Sequence, residues 1–263
     1  MTTATTTEPR LNVTPKGRVY KIDGDRVPSV TTILNALPKN LAQWASDAAA
    51  NYAVENWQQL AEEPLTKRID KIRYAHRDTL SKAALRGQDI HDYGDRLVRG
   101  ETVDIPPEYV GPAQAWARHI DRWQIEPLAT EAAIANLTHR FAGRGDLWGT
   151  IGVRDGARAY IDLKTGKSLY ESVVLQGTGY DMAEIWQPDG PSSEQPYEPV
   201  DLIYVAHILP DDVRMVPVRG AGGLARPGIR EQRQFLYVKQ TWHWLDAHGY
   251  KGDEQLLGEA ERP

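Results

Sequence analysis

Two aspartates and a lysine stand close together in the stretch GRGDLWGTIGVRDGARAYIDLKTGK, residues 143 to 167, as Asp146 and then Asp162-Leu163-Lys164. Carboxylate oxygens are the preferred ligands of hard divalent cations. An ammonium beside them can orient a water molecule or neutralise charge developing on phosphorus. The turn-rich Arg154-Asp155-Gly156 predicts a hairpin joining Asp146–Val153 to Arg158–Leu163. With a three-residue loop, Asp162 falls opposite Trp148 and on the same sheet face as Asp146, roughly 7–8 Å away along the diagonal. A two-residue loop puts the carboxylates on opposite faces unless a bulge intervenes. Lys164 shares the face of Asp162, and Leu163 points into the core. Further along, Gln176 and Tyr180 are four apart on one helical face; upstream, Gly87 and His91 are one turn apart, with Asp92 next to the histidine. The bland alternative for Asp-x-Lys on a hairpin is a solvated ion pair worth under about 1 kcal/mol.

The elements that must position these groups are legible in outline. Residues 1–16, Thr-rich with Pro9 and Pro15, read as a disordered lead-in, with order starting near Arg18. A short hairpin turning at Asp23-Gly24 and a helix entered at Pro28-Ser29 follow. Asn40–Glu63 reads as one helix with an Asn cap and a stripe of Leu41, Trp44, Ala45, Ala48 and Tyr52. Thr66–Arg99 reads as a second, carrying Ile69, Ile72, Leu80, Ala84, Leu85, Ile90 and Leu97, with Gly87 as an internal break or a site of close approach. After a third helix, Pro107–Trp123, the period changes. Three strands (Glu131–Leu137, Asp146–Val153, Arg158–Leu163), a helix (Tyr170–Trp186), a strand pair (Val200–Leu209, Arg214–Val218) and a closing helix (Arg230–His248) are expected. The fold class is therefore α/β (α+β), with an N-terminal hairpin and helical lobe over 17–105, a core over 106–250 and an acidic tail over 251–263.

Composition narrows the chemistry. The 263 residues contain no cysteine, which removes thiol nucleophiles, disulfides, cysteine-held zinc and iron–sulfur clusters. The net charge of -5 argues against a surface that grips nucleic acid everywhere. Charge is nevertheless local: residues 67–99 hold nine Lys/Arg against five Asp/Glu, and 138–167 hold six against three, while 190–212 hold five acidic residues and no Lys or Arg. The first two segments flank the candidate ligands and read either as a basic track or as an ordinary solvated helix face. Gly143, Gly145 and Gly149 either admit a strand of DNA or form turns. Tyr93, Trp148 and Tyr170 are stacking candidates or core. The N-terminus lacks a signal sequence and no apolar run is long enough to span a membrane, so a cytoplasmic protein is expected.

Asp146, then Asp162-Leu163-Lys164 sixteen residues on, then Gln176-x-x-x-Tyr180, with Gly87-x-x-x-His91 upstream, resembles the RecB-like exonuclease branch of the PD-(D/E)xK nucleases. The opening VPSVTTILNALPKNLAQWA is similar to phage-encoded relatives of the CRISPR adaptation exonucleases. The resemblance extends from about Arg18 to the final helix. It implies a restriction-endonuclease-like core, a mixed central sheet flanked by helices, and a metal-dependent DNA exonuclease acting in phage or bacterial recombination, repair or replication. It further implies one or two Mg²⁺ or Mn²⁺ ions held by His91, Asp146, Asp162 and the Leu163 main-chain carbonyl. Glu131 either joins them or ends its strand in solvent. Lys164 would position the nucleophilic water, and Gln176 and Tyr180 would buttress the site or contact substrate. Arg86, Arg144, Lys167 and Tyr170 are the expected DNA contacts. DNA, a recombination partner protein and further copies of the chain are the implied partners, in the cytoplasm of a bacterial host if the chain is phage-encoded. The relatives' iron–sulfur cluster has no ligands here. Alternatives are an endonuclease of the same superfamily, a non-catalytic DNA-binding recombination module and a partner-binding scaffold.

Overall fold

A computed structural model describes residues 9–14, 19–38, 42–166, 168–218 and 227–248, without the side chains of 42 and 78–84. Leu80 and Ala84 as stripe positions, the Asn40 cap, Leu41, Lys167 and the tail 251–263 lie outside what is described.

Three short strands open the chain: β1 (Leu11–Val13), β2 (Tyr20–Ile22) and β3 (Asp25–Val27) form an antiparallel sheet. The reading of residues 1–16 as disordered fails at β1. Leu11 is fully buried in a cluster with Ile22 and Ala135, and Leu11↔Ile22 pairing turns a three-residue apolar-polar-apolar stretch into a strand. So short a strand gains its stability from the sheet it caps, which local pattern does not reveal. Asp23 and Gly24 both have positive φ, as the expected β2–β3 turn requires. The Ser29 hydroxyl then accepts from the Thr32 amide at 3.0 Å and caps α1 (Val30–Leu34).

The expected helix over 40–63 is two, α2 (Ala42–Glu55) and α3 (Trp57–Ala61), separated at Asn56. α4 (Leu65–Val98) runs unbroken for 34 residues and packs along α2 at one end and on α5 (Pro107–Trp123) at the other. Of its expected stripe, Ile90 is buried, whereas Ile69 and Leu85 are exposed.

The central sheet has seven strands in the order β10-β9-β6-β5-β4-β7-β8: β4 (Ile125–Asn136), β5 (Phe141–Ile151), β6 (Ala157–Lys164), β7 (Ile185–Gln187), β8 (Gln195–Pro196), β9 (Leu202–Ile208) and β10 (Val213–Pro217). Among the described strands only β6 and β9 pair in parallel, joined by a crossover through α6 (Ser172–Asp181). The segment read as one helix over 170–186 divides into α6 and β7, whose Trp186 pairs with Ile134. One sheet face packs on α1, α6 and the closing α7 (Ile229–His248) around Trp148, Tyr160, Tyr180 and Phe235; the other packs on α4 and α5 around Ile90, Trp116, Leu147, Ile161 and Leu163. The architecture is thus the expected mixed α/β sheet flanked by helices. No helix among the described residues is long and apolar enough to cross a membrane.

On α5, His119 is buried between the rings of Trp116 and Trp123, with centroids 6.3 and 5.5 Å away. Burial and the Arg122 guanidinium hold its pKa below the ordinary histidine value, against a weaker opposing pull from Asp212. Below about pH 6.5 the unfolded chain binds the proton more readily than the folded one, so this group's contribution to stability falls as pH drops. His119→Phe is expected to lose less stability between pH 7 and pH 5 than the parent chain. Urea unfolding midpoints at the two pH values test this, and equal losses would overturn it.

Candidate metal centre

β5 and β6 are paired from Ile151↔Ala157 to Leu147↔Ile161, leaving a five-residue connection over 152–156 in place of the three-residue loop. Gly152–Arg154 form a 3₁₀ turn and Asp155 and Gly156 take positive φ. The register therefore puts Tyr160, not Asp162, opposite Trp148. Pairing stops at Leu147. One residue further on, the Asp146 side chain takes over: its Oδ2 accepts the Leu163 amide N–H at 2.7 Å, a bond a strand carbonyl would otherwise make.

The shared-face geometry does not hold. On β4 and β5, the ladder bonds Thr130↔Leu147 and Ala132↔Gly145 and skips the Glu131–Asp146 position between them. Glu131 has φ +49°, and unlike the other non-glycine residues of positive φ it lies inside a long strand. Such a conformation is uncommon away from turns and costs energy, a form of strain found at functional sites. The irregularity turns both Thr130 and Glu131, and both Asp146 and Leu147, toward the α4 side, where they border a small crevice with His91 and Gly94. Asp162 keeps the regular alternation and points to the opposite, α6 side, where Gln176 Nε2 donates to its Oδ1 at 2.9 Å and the Tyr160 hydroxyl donates to the same oxygen at 3.0 Å. Its other oxygen is ion-paired with Lys164.

Two linked constellations result. The first is His91, Glu131 and Asp146, whose ligand atoms lie within 4.8 Å of one another; His91 Nδ1 is 3.6 Å from Asp146 Oδ1. Imidazole plus two carboxylates suits a divalent cation such as Mn²⁺ or Mg²⁺, so the donor set fits the expected metal. The second is Asp162, Lys164, Gln176 and Tyr160, adjoining it through the Leu163 main chain. Asp162, expected to share the cation, is outside the three-residue set, only 4% exposed and engaged on both oxygens within the protein. At Leu163 the amide N–H donates to Asp146.

The charges are strongly interdependent. Burial penalises the Asp146 carboxylate, yet His91, Lys164 and the Leu163 N–H together hold its pKa below the ordinary range. Burial raises that of Asp162, with Asp146 adding to the effect and Lys164 opposing it. His91 and Lys164 are both raised: burial works against their charged forms, and the two aspartates outweigh it. Glu131 is pushed up to about 7, by burial first and then by Asp146. Glu131 is exposed and borders a concavity.

α4 reaches the sheet through two glycines on the face that carries His91. A Cβ on Gly87 would meet Thr165 Oγ1 at 3.2 Å, and one on Gly94 would meet Leu163 Cδ2 at 3.1 Å and Trp116 at 3.4 Å. Gly87 is therefore a close approach and not a break. Gly94 escaped the sequence reading, though its i, i+4, i+7 relation to Gly87 and His91 was available. Tyr160 escaped it too; two residues before Asp162 on one strand, it lies on the same face by alternation.

No protein-family model matches the chain, and no curated protein matches it. Its chemistry has to be argued from these residues.

The remaining expected residues divide. Gln176 touches Asp162; Tyr180 is buried edge-on against Tyr160 at 5.2 Å, its hydroxyl's pKa raised well above ordinary by burial and the two aspartates. Both pack around the Asp162–Tyr160 pair. Arg86 and Arg144 are exposed, and Tyr170 is 69% exposed. Trp148 is fully buried and Tyr93 packs on Tyr109 with ring centroids 5.6 Å apart, so Trp148 is core and no stacking platform. Gly143, Gly145 and Gly149 neither admit DNA nor form turns: a Cβ would strike Tyr180, the Trp148 and Tyr160 rings, or the Glu126 carbonyl, respectively.

Proposed function

We propose that the chain is a metal-dependent deoxyribonuclease that hydrolyses phosphodiester bonds from DNA ends. The observation that carries this is the adjacency of a three-ligand cluster, His91, Glu131 and Asp146, to an Asp162–Lys164 pair, bridged by the Leu163 N–H to Asp146 Oδ2 bond. Mg²⁺ or Mn²⁺ held by the cluster would supply Lewis-acid activation of water and neutralise charge on the phosphate.

The protein groups have separable tasks. His91, Glu131 and Asp146 hold the cation. Asp162, fixed by Tyr160 and Gln176, keeps the Lys164 ammonium protonated and aimed. That ammonium orients the attacking water or bonds a phosphate oxygen as negative charge grows, a donor placed in advance of the charge it serves. Gln176 and Tyr180 hold Asp162 and Tyr160 in position. Arg86 and Arg144, both exposed, are suited to backbone phosphates.

End-labelled linear duplex, with each end blocked in turn, is incubated with the protein in Mn²⁺ and in EDTA, with closed circular DNA alongside. Expected are release of short products from one free end in Mn²⁺, none in EDTA, and an intact circle. Asp162→Asn and Lys164→Ala are each expected to lower the rate at least about 10²-fold. Asp162→Asn should largely retain Mn²⁺ affinity, because Asp162 is outside the three-ligand set. Hydrolysis surviving in EDTA, or undiminished in Lys164→Ala with native circular dichroism, overturns the assignment; a cut circle transfers it to an endonuclease.

A further inference from the structure

We propose that a cavity of about 600 Å³ beside the metal cluster is a preformed site for one nucleoside monophosphate unit, with Arg144 as its phosphate ligand. That the ligand is a nucleotide rests on the nuclease function proposed above; the site itself rests on the following observations.

The volume lies within the range of cavities that enclose small ligands. Thr130 and Glu131 border both this cavity and the crevice that holds His91 and Asp146, so a ligand here abuts the metal cluster. Arg144 lines the cavity, is exposed, and makes no ion pair or hydrogen bond among the described residues. Arg99, the other cation of the lining, is already paired with Asp95 and, at 3.3 Å, with Glu101. The Arg144 guanidinium acts on the neighbouring Glu131 carboxylate by charge alone, without a hydrogen bond among the described residues, so its planar fork of donors is open to a phosphate even though Glu131 and Asp189 also line the space.

The rest of the lining suits a sugar and base. The register of β4 shifts between Pro127 and Ala129, leaving Leu128 without a partner on β5; its side chain, 49% exposed, borders the cavity together with Pro127, Pro188 and Val13. A bulge that re-aims a side chain beside a site is a recurrent device of sheets. The wall supplied by β1 is pinned. Glu194 accepts the Arg10 and Leu11 amides, each at 2.9 Å, and Gln187 donates to the Leu11 carbonyl at 2.6 Å and to Glu194 at 3.0 Å. A ligand thus meets formed walls and does not have to order them, which lowers the entropic cost of binding.

Thymidine 5′-monophosphate and thymidine 3′-monophosphate are titrated calorimetrically into the full-length protein in EDTA, with thymidine and inorganic phosphate in parallel. One of the two nucleotides is expected to bind more tightly than either fragment. Arg144→Ala should weaken it about tenfold while leaving thymidine unaffected, and Leu128→Ala should weaken nucleotide and thymidine alike. Nucleotide binding no tighter than that of phosphate, or unchanged in both variants, overturns the site. A protein that binds the nucleotide through Arg144 yet releases nothing from DNA in Mn²⁺ overturns the nuclease function and leaves the site standing. One that degrades DNA while Arg144→Ala binds the nucleotide undiminished overturns the site alone.

Discussion

Asp146→Asn is expected to lose Mn²⁺ binding and DNA hydrolysis together while remaining folded. The carboxylate is one of three groups that converge within 4.8 Å, and its charge is favoured in place by His91, Lys164 and the Leu163 N–H. Replacing groups that merely orient metal ligands costs about 10–100-fold in affinity, so loss of a charged ligand should cost at least about 100-fold. Metal catalysis supplies several kcal/mol to such reactions, and at about 1.4 kcal/mol per factor of ten the rate should fall by about 10³-fold or more. The fold should survive, because an asparagine amide oxygen can still accept the Leu163 N–H that closes the gap between β5 and β6. Calorimetric titration with Mn²⁺, a DNA-degradation assay and circular dichroism are the measurements. Undiminished Mn²⁺ affinity would show that the cluster is not the metal site.

Gly145→Ala should produce a large loss of stability for the smallest change in mass. The added methyl would run into the Trp148 ring and lie 2.8 Å from Tyr160 Cε2. Both rings are almost completely buried and pack on each other with centroids 4.8 Å apart, so neither can swing away. Overpacking a dense core costs about 1–3 kcal/mol, and rigid aromatic neighbours put this case near the upper end. For a chain of this size that lowers Tm by roughly 6–12 °C. The effect should reach the chemistry as well, since the Tyr160 hydroxyl is bonded to Asp162. Gly166→Ala is the matched control: its Cβ would meet only the Ser168 carbonyl, at an ordinary 3.5 Å, and Tm should change little. Calorimetric melting of both variants decides the matter; equal Tm values would mean that the aromatic layer yields freely.

Much of the site could be read from residue types. Asp146, Asp162 and Lys164 stand out because carboxylates and an ammonium lie a hairpin apart, whereas the ligand role of His91 rested on the resemblance. Helix limits followed hydrophobic period where helices are long: α5 occupies the range its pattern predicts, and the start of α7 is within one residue of it, whereas the two longest strands, β4 and β5, begin six and five residues before the expected Glu131 and Asp146. Short elements escaped. β1 and β7, three residues each, hold their conformation through pairing with distant strands, and no local period of that length tells strand from loop.

Composition and pattern by themselves determined the mixed α/β class, the absence of thiol chemistry and the short roster of charged residues near the hairpin. Only the tertiary structure decided how that roster divides. Alternation along a strand predicts one shared face for Asp146 and Asp162, but the interruption at Glu131 and Asp146 is set by two strands jointly, and it turns Asp146 toward His91 while Asp162 stays with Gln176. The same holds for the glycines of GRGDLWG: whether a missing Cβ serves a turn, a ligand or a close neighbour depends on what stands opposite, and here it is Tyr180, Trp148 and Tyr160, and for Gly149 the Glu126 carbonyl. A sequence specifies periodicity and chemical type through local physics. Facing, register and close approach arise from contacts between residues far apart in the chain.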